Sequence, residues 1–378
     1  MKILFTGGGT GGHFYPLIAI AEALQQESEK EKILDLKLYY MSDSPFEKDA
    51  LRENHITFVQ ISAGKQRIYP SLKNFTDIFK IITGIVQAII KMYFIYPDVV
   101  MSKGGYASFP ALVAARILHI PVVIHESDSY PGRVNLWSRK FAKRIGVTYE
   151  ESVRFFKKNI TAVVGMPIRL DLLESVGTGA HEFLHLESTV PTIIVVGGSL
   201  GSEKINDAIV DALPILLPHY QIIHQVGKSR EIEVTTHAKI VVGEPALLRR
   251  YKVFEYFNPL VTKMCAGAAD LYISRAGATS IAEIANWGIP SILIPIPESN
   301  SHADHQRKNA YHYAHAGAAV VIEEKNLSTA ILAGEINRIL VDPQLRASMS
   351  DSAKQLARPD ASLKMAKILL EIALSHEK

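Results

Sequence analysis

Met1-Lys-Ile-Leu-Phe-Thr-Gly-Gly-Gly-Thr-Gly-Gly-His-Phe-Tyr-Pro-Leu-Ile-Ala-Ile-Ala-Glu-Ala-Leu24 decides the fold. Lys2–Thr6 reads as a short buried strand and Gly7–Gly12 as a glycine loop. From Tyr15 the apolar residues recur at helical spacing to Leu24. Strand, glycine loop and helix make the unit that holds phosphate groups in α/β proteins. Glycine lets backbone N–H groups approach a ligand, and a helix N-terminus carries partial positive charge. Gly7, Gly9 and Gly12 also satisfy G-x-G-x-x-G, which alone is a weak dinucleotide signal. His13 at the loop's end and Pro16 in the first helical turn are additions that such a fingerprint does not require.

The same grammar runs along the chain. Strands are expected at Ile3–Phe5, Lys37–Met41, Val99–Ser102, Val122–His125, Thr161–Val164, Thr192–Val196, Gln221–Gln225, Lys252–Tyr256, Leu271–Ser274 and Ser291–Ile294, with helical stretches between them. Short Val- and Ile-rich runs alternating with helices predict an α/β fold with parallel sheets covered on both faces. At 378 residues the chain exceeds one ordinary core. Gly165-Met-Pro-Ile-Arg169 and the polar stretch to Val190 read as a link, after which strand, glycine loop and helix restart. The expectation is two doubly wound, Rossmann-like domains facing a central cleft: 1–165, with a C-terminal helix at about 358–378 packing back on it, and 166–357. Ligands in such sheets sit beyond the carboxyl ends of the strands, where the glycine loops lie.

Composition narrows the classes. The one cysteine, Cys265, permits no internal disulfide and fits a reducing compartment. The apolar opening run is too short for a signal peptide, and no stretch of ~18 uncharged apolar residues predicts a membrane span. The net charge of +3 conceals an asymmetry: residues 55–149 hold 12 Lys/Arg against 4 Asp/Glu. A basic surface suits nucleic acid, anionic lipid or a phosphorylated substrate. No helix-turn-helix or groove-reading basic helix is visible, so nucleic acid is not an expected partner.

Several loops carry chemistry. Ser102-Lys-Gly-Gly-Tyr-Ala-Ser-Phe-Pro110 is a second glycine site between strand and helix, and Lys103 makes it a candidate anion site. His125-Glu-Ser-Asp-Ser-Tyr-Pro-Gly132 follows the next strand; a histidine at a buried sheet edge is often structural, so His125 is not read as catalytic. Gly197-Gly-Ser199 precedes a helix able to face a diphosphate. Arg275-Ala-Gly-Ala-Thr-Ser-Ile-Ala-Glu283 is a third such loop, in which Glu283 either accepts ribose hydroxyls or answers the helix dipole. His302, Asp304 and His305 lack a matching second ligand pair, and no metal site is read from them. There is no Asp-x-Asp, so no cofactor is required, although Mg²⁺ is compatible with the loops.

Ser71 to Phe94 is amphipathic. Ile82, Ile85 and Ile89 read as core. The front of the segment, with Ile68, Tyr69, Leu72, Phe75 and Phe79 among Lys65, Arg67, Lys73 and Lys80, reads as a peripheral patch for an anionic membrane surface.

Seven motifs then stand in a telling order. They are GGTGGH-x-x-P at Gly8–Pro16, GGY at Gly104–Tyr106, HE at His125–Glu126, G-x-P-x-R at Gly165–Arg169, GGS-x-G at Gly197–Gly201, GA-x-x-x-x-E at Gly277–Glu283 and HQ-x-x-NA at His305–Ala310. Together they resemble the MurG family, whose members transfer N-acetylglucosamine (GlcNAc) from UDP-GlcNAc to undecaprenyl-pyrophosphoryl-N-acetylmuramoyl-pentapeptide (lipid I), giving lipid II. The resemblance implies the glycosyltransferase-B fold, an inverting transfer, UDP-GlcNAc and lipid I as partners, and a peripheral place on the cytoplasmic face of the plasma membrane. It implies that Phe257 reads uracil through its backbone, that Glu283 holds the ribose, and that Ser199, Ala278, Thr279, Ser280 and Arg169 surround the diphosphate, with Gln306 on the sugar. It puts Thr10, Gly11, Gly12, Gly104, Gly105, Tyr106, Glu126 and Asp128 at the acceptor's pyrophosphate and makes His13 the general base. Asp128, Met166 and Leu200 depart from the family's usual Asn, Asn and Gln. The alternatives in the same fold are a transferase for another lipid acceptor, such as diacylglycerol, and a UDP-GlcNAc 2-epimerase. A nicotinamide-dependent oxidoreductase would use Asp43 for its ribose and leave Glu283 idle.

Overall fold

The computed structural model describes residues 1–33, 35–64, 72–198, 201–297 and 304–376, with backbone alone at 72–76 and 376. Ser199 therefore lies outside the described residues, as do Lys65, Arg67, Ile68 and Tyr69. Two compact units are present: Met1–Leu170 with Arg358–Lys378, and Asp171–Ala357.

The first unit is built on β1 (Lys2–Thr6), β2 (Lys37–Ser42), β3 (Ile56–Gln60), β4 (Val99–Ser102), β5 (Val122–Glu126), β6 (Arg144–Val147) and β7 (Thr161–Val163). They form one sheet in the order β3-β2-β1-β4-β5-β6-β7, every pair parallel. The order reverses between β1 and β4, so a crevice opens past their carboxyl ends. Burial on both faces follows from the strand period of two. Ile3 and Phe5 join the core formed with the helices Gly11–Lys30 and Ala361–His376, while Leu4 joins the opposite core with Ala88, Met92, Ala111 and Leu112.

The second unit repeats the plan with β8 (Thr192–Val196), β9 (Gln221–Gln225), β10 (Tyr251–Phe254), β11 (Leu271–Ser274), β12 (Ser291–Leu293) and β13 (Ala319–Val321). Their order is β10-β9-β8-β11-β12-β13, all parallel, with the reversal between β8 and β11.

Three strands escaped the sequence reading. β3 is an edge strand with only Ile56 fully buried, β6 is interrupted by Gly146, and β13 is three residues long. The helix Leu72–Ile95 also departs from expectation. Its inward face is Asp77, Gly84, Ala88 and Met92, and Gly84 runs against the backbone at Ser62 with no room for a Cβ. Ile82, read as core, is 55 % exposed, and Ile78, Phe79, Val86, Ile90, Tyr93 and Phe94 are exposed beside it. Small residues inward and large ones outward reverse the usual amphipathic arrangement. No uncharged apolar run of membrane-spanning length is present, since Lys80 and Lys91 interrupt it, but Asp77–Ile95 holds an 18-residue window of mean hydropathy 1.7 and is long and apolar enough to cross a membrane by length and composition.

Candidate active site

In the first unit the glycine loops after β1 and β4 meet backbone to backbone. A Cβ on Gly105, whose φ is +80°, would lie 2.7 Å from Gly8 Cα; one on Gly104, at φ +77°, would strike the Asn135 amide. Only glycine permits this approach. His13 sits over the contact, since a Cβ on Gly8 or Gly105 would lie 3.5 Å from its Nδ1 or Nε2 respectively. Its Nδ1 is 2.8 Å from Thr10 Oγ1. Thr10 is the N-cap of the helix Gly11–Lys30, yet its side chain makes no cap hydrogen bond and serves His13 instead. If Nδ1–H donates to Thr10, Nε2 presents its lone pair, the form a base requires.

His13 is half-buried, and desolvation together with the positive charge of Lys103 holds its pKa down at about 4, against an opposing pull from Asp128. The ring is thus neutral near pH 7. Tyr106 donates to Asp43 at 2.9 Å, and burial with this partner pushes its phenol up to about 12. Asp43 follows the second strand, where an oxidoreductase would want its ribose ligand, but here it holds Tyr106 beside Gly9.

Glu126 turns out to organise its own loop. Its carboxylate accepts from the Asp128 and Gly132 amides at 3.0 Å each and from Asn135 Nδ2 at 2.8 Å. Burial and the neighbouring Asp128 push it up. Asn135 was invisible in the sequence because a short helix, Arg133–Ser138, delivers it from outside any motif. Lys103, only 2 % exposed, donates to His125 Nδ1 and Ser127 Oγ at 2.6 Å each. His125 is held between Lys103 and the Gly165 carbonyl, and burial with the neighbouring Lys103 charge pushes its pKa well down.

In the second unit the helix Ala278–Trp287 starts from Gly277 with no side-chain cap, leaving the amides of its first turn, Ala278, Thr279 and Ser280, to a ligand. Glu283 stands half-buried in that helix's second turn. Arg275 ties the loops together: it donates to Ser202 Oγ at 2.6 Å and to the Ile294 and Pro295 carbonyls at 3.1 and 3.2 Å, and pairs with Glu324. Phe257 follows β10 and buries its ring against Phe254, which leaves its backbone as the group able to face a ligand. Gln306 accepts from the Ile296 amide at 3.2 Å, fixing it beside the loop that follows β12. Arg169 falls in the first unit, stacked 5.1 Å from the Tyr15 ring centroid. Among the described residues no group of three or more His, Cys, Asp or Glu gathers to hold a metal.

The glycosyltransferase family 28 N-terminal domain matches residues 3–147, and the C-terminal domain of that family matches residues 192–365. A UDP-N-acetylglucosamine–N-acetylmuramyl-(pentapeptide) pyrophosphoryl-undecaprenol N-acetylglucosamine transferase of Clostridium botulinum is 38% identical over 89% of this chain and 88% of its own length. The protein of the same name from Legionella pneumophila is 38% identical over 93% of this chain and 94% of its own. Among solved structures, Acinetobacter baumannii MurG aligns with a TM-score of 0.73 at 24% identity, covering 98% of this chain and 99% of that one, which shows a shared fold.

Proposed function

Because this chain belongs to the MurG family within glycosyltransferase family 28, we propose how its two units share the family's reaction. The protein is a UDP-GlcNAc-dependent N-acetylglucosaminyltransferase that moves GlcNAc onto lipid I to give lipid II. The first unit takes the acceptor: the amides of Gly11, Gly12, Gly105 and Tyr106 receive its pyrophosphate, those of Thr10 and Gly104 already donating to the Gly8 carbonyl and Ser102 Oγ, and His13 is the general base. The acceptor hydroxyl oxygen bonds to the anomeric carbon of GlcNAc as that carbon's bond to the UDP oxygen breaks. The hydroxyl proton passes to His13, and configuration inverts. The second unit takes the donor: Phe257 offers backbone groups to uracil, Glu283 accepts the ribose hydroxyls, and the first-turn amides at 278–280 stabilise charge growing on UDP. Ser199 completes the diphosphate site, and Gln306 orients the sugar.

The observation that carries this reading is the Gly8–Gly105 contact under His13, which puts two donor-rich loops and a neutral imidazole at one reversal point of the sheet. Incubating the protein and radiolabelled UDP-GlcNAc with lipid I and with diacylglycerol in parallel tests it. Label must enter the lipid I arm alone.

The same unit binds the cytoplasmic face of the plasma membrane peripherally. The outward stripe Ile78, Phe79, Ile82, Val86, Ile90 and Phe94 supports this, with Lys80 beside it. It follows, in sequence, the patch read from Ile68, Leu72 and Phe75. Apolar insertion and attraction of basic side chains to anionic lipid act together in such a surface.

A further inference from the structure

A buried ammonium is costly to keep, and among the described residues no carboxylate lies within ion-pair distance of Lys103. Placed just past the end of β4 and only 2 % exposed, it directs Nζ at three neutral atoms: His125 Nδ1 and Ser127 Oγ at 2.6 Å each, and Met166 Sδ at 3.8 Å. The protons along this chain of contacts follow from its chemistry. The Gly165 carbonyl, 2.8 Å from His125 Nε2, only accepts, so the ring carries its proton on Nε2 and turns the Nδ1 lone pair to Lys103. Burial pulls the pKa of Lys103 down to about 7, with Glu126 and Asp128 opposing, and an anion arriving nearby favours the ammonium. An ammonium only donates, so Ser127 Oγ is the acceptor of its contact. The hydroxyl proton of Ser127 then points elsewhere, and among the described residues no acceptor takes it. Ser127 is half-buried, so that proton is within reach of a ligand.

We infer that Ser127 is a further ligand of the acceptor's pyrophosphate, donating its hydroxyl proton to a phosphate oxygen while Lys103 fills the hydroxyl oxygen from behind. The inference rests on the reading that the first unit takes that pyrophosphate. Lys103 is then a positioning residue: buried out of reach of the acceptor, it acts through the serine that it orients. Bonds to ionised groups are the strong ones, and successive bonds polarise one another, so a hydroxyl that accepts from an ammonium donates better. The turn carrying Ser127 is fixed on both sides. The Glu126 carboxylate accepts from the Asp128 amide at 3.0 Å, and Ser152 Oγ donates to the Asp128 carbonyl at 2.8 Å. β5, which leads into Ser127, pairs with β4, which leads into the Gly105 and Tyr106 amides, so hydroxyl and amides stand at one edge of the sheet. A phosphate oxygen only accepts, and all three donors suit it.

Four variants of the whole protein, Ser127→Ala, Ser127→Thr, Lys103→Met and Ser127→Ala with Lys103→Met, test this with UDP-GlcNAc and lipid I at pH 6.5. Ser127→Ala should raise the acceptor KM about tenfold, the scale of a hydrogen bond to a charged group, and leave the donor KM within about twofold. Ser127→Thr, which keeps the hydroxyl, should stay within about threefold of the parent. Lys103→Met should raise the acceptor KM by as much as Ser127→Ala. The double variant should exceed the worse single variant by no more than about twofold, because the lysine acts through the serine. The inference is overturned if Ser127→Ala leaves the acceptor KM unchanged, if Ser127→Thr is as impaired as Ser127→Ala, or if the two single effects multiply in the double variant. The comparison of alanine with threonine needs no change at Lys103 and decides the matter even if Lys103→Met fails to fold. Amide hydrogen exchange with lipid I on a short, soluble chain separates this inference from the reading beneath it. Slowed exchange at residues 7–12 and 104–106 of the parent keeps the reading even if Ser127 proves idle, whereas unchanged exchange there overturns both.

Discussion

His13 carries the proton in the proposed transfer, and its surroundings set the pH range in which it serves. Its pKa of about 4 lies below the ordinary 6.5, so the imidazole is neutral and able to accept a proton throughout the physiological range. The acid limb of kcat/KM, which reports the free enzyme, should fall well below pH 6.5. That of kcat should lie higher, because a bound pyrophosphate favours the imidazolium. For folding the sign is opposite to that of a salt-bridged histidine. The unfolded chain binds the proton first, so stability is lost as pH falls from 6.5 towards 4. His13→Ala should lower kcat by roughly 10²–10⁴-fold with the donor KM kept. Glu283→Ala should act on the other substrate, raising the UDP-GlcNAc KM about tenfold, the scale of losing hydrogen bonds to a charged group; an unchanged donor KM would remove its ribose role. The strand–glycine–helix junctions that carry His13 and precede Glu283 were legible because their pattern depends on local order. Asn135 and the partners of Lys103 were not, because they meet only through tertiary contacts, Asn135 from a short helix and Lys103 from the end of β4.

Among the elements, the helix Leu72–Ile95 shows what periodicity can and cannot tell. The sequence marks a wide apolar helix, but an apolar stripe has no sign: it points inward or outward according to where small residues allow close packing. Here Gly84 and Ala88 go inward, so Ile82 and Ile90, both more than half exposed, go out. Ile82→Glu with Ile90→Glu should lower binding to vesicles containing anionic phospholipid at least about tenfold, since each isoleucine fully buried is worth roughly 1.5–3 kcal/mol. Turnover of an acceptor with a short, soluble chain should hardly change. Equal vesicle binding by the variant would discard the membrane face. The parallel strands in the middle of each sheet were plain from their Val- and Ile-rich runs. β3, β6 and β13 were not, since edge position, an internal glycine and a length of three residues each weaken the pattern.

For the molecule as a whole, the chain enters the second unit after Leu170 and returns to the first at Arg358. The helix Ala361–His376 sets Met365, Leu369, Leu370 and Ile372 into the core that holds Ile3 and Phe5. A chain stopped after Ala357 should leave that core open while the second unit keeps its own. Calorimetry would then show the transition of the first unit lost or lowered by more than 10 °C, on the scale of several large apolar side chains at ~1.5–3 kcal/mol each. An unchanged two-transition trace would count against the division.

That closing helix also sets an order of events at the ribosome. The amino-terminal lobe is translated first but receives its last structural piece only after the entire carboxy-terminal lobe has been made. The carboxy-terminal lobe can mature while the amino-terminal one still waits, its greasy outer helix already synthesised. Early recruitment of the nascent chain to the bilayer would shelter that helix from other chains during the interval.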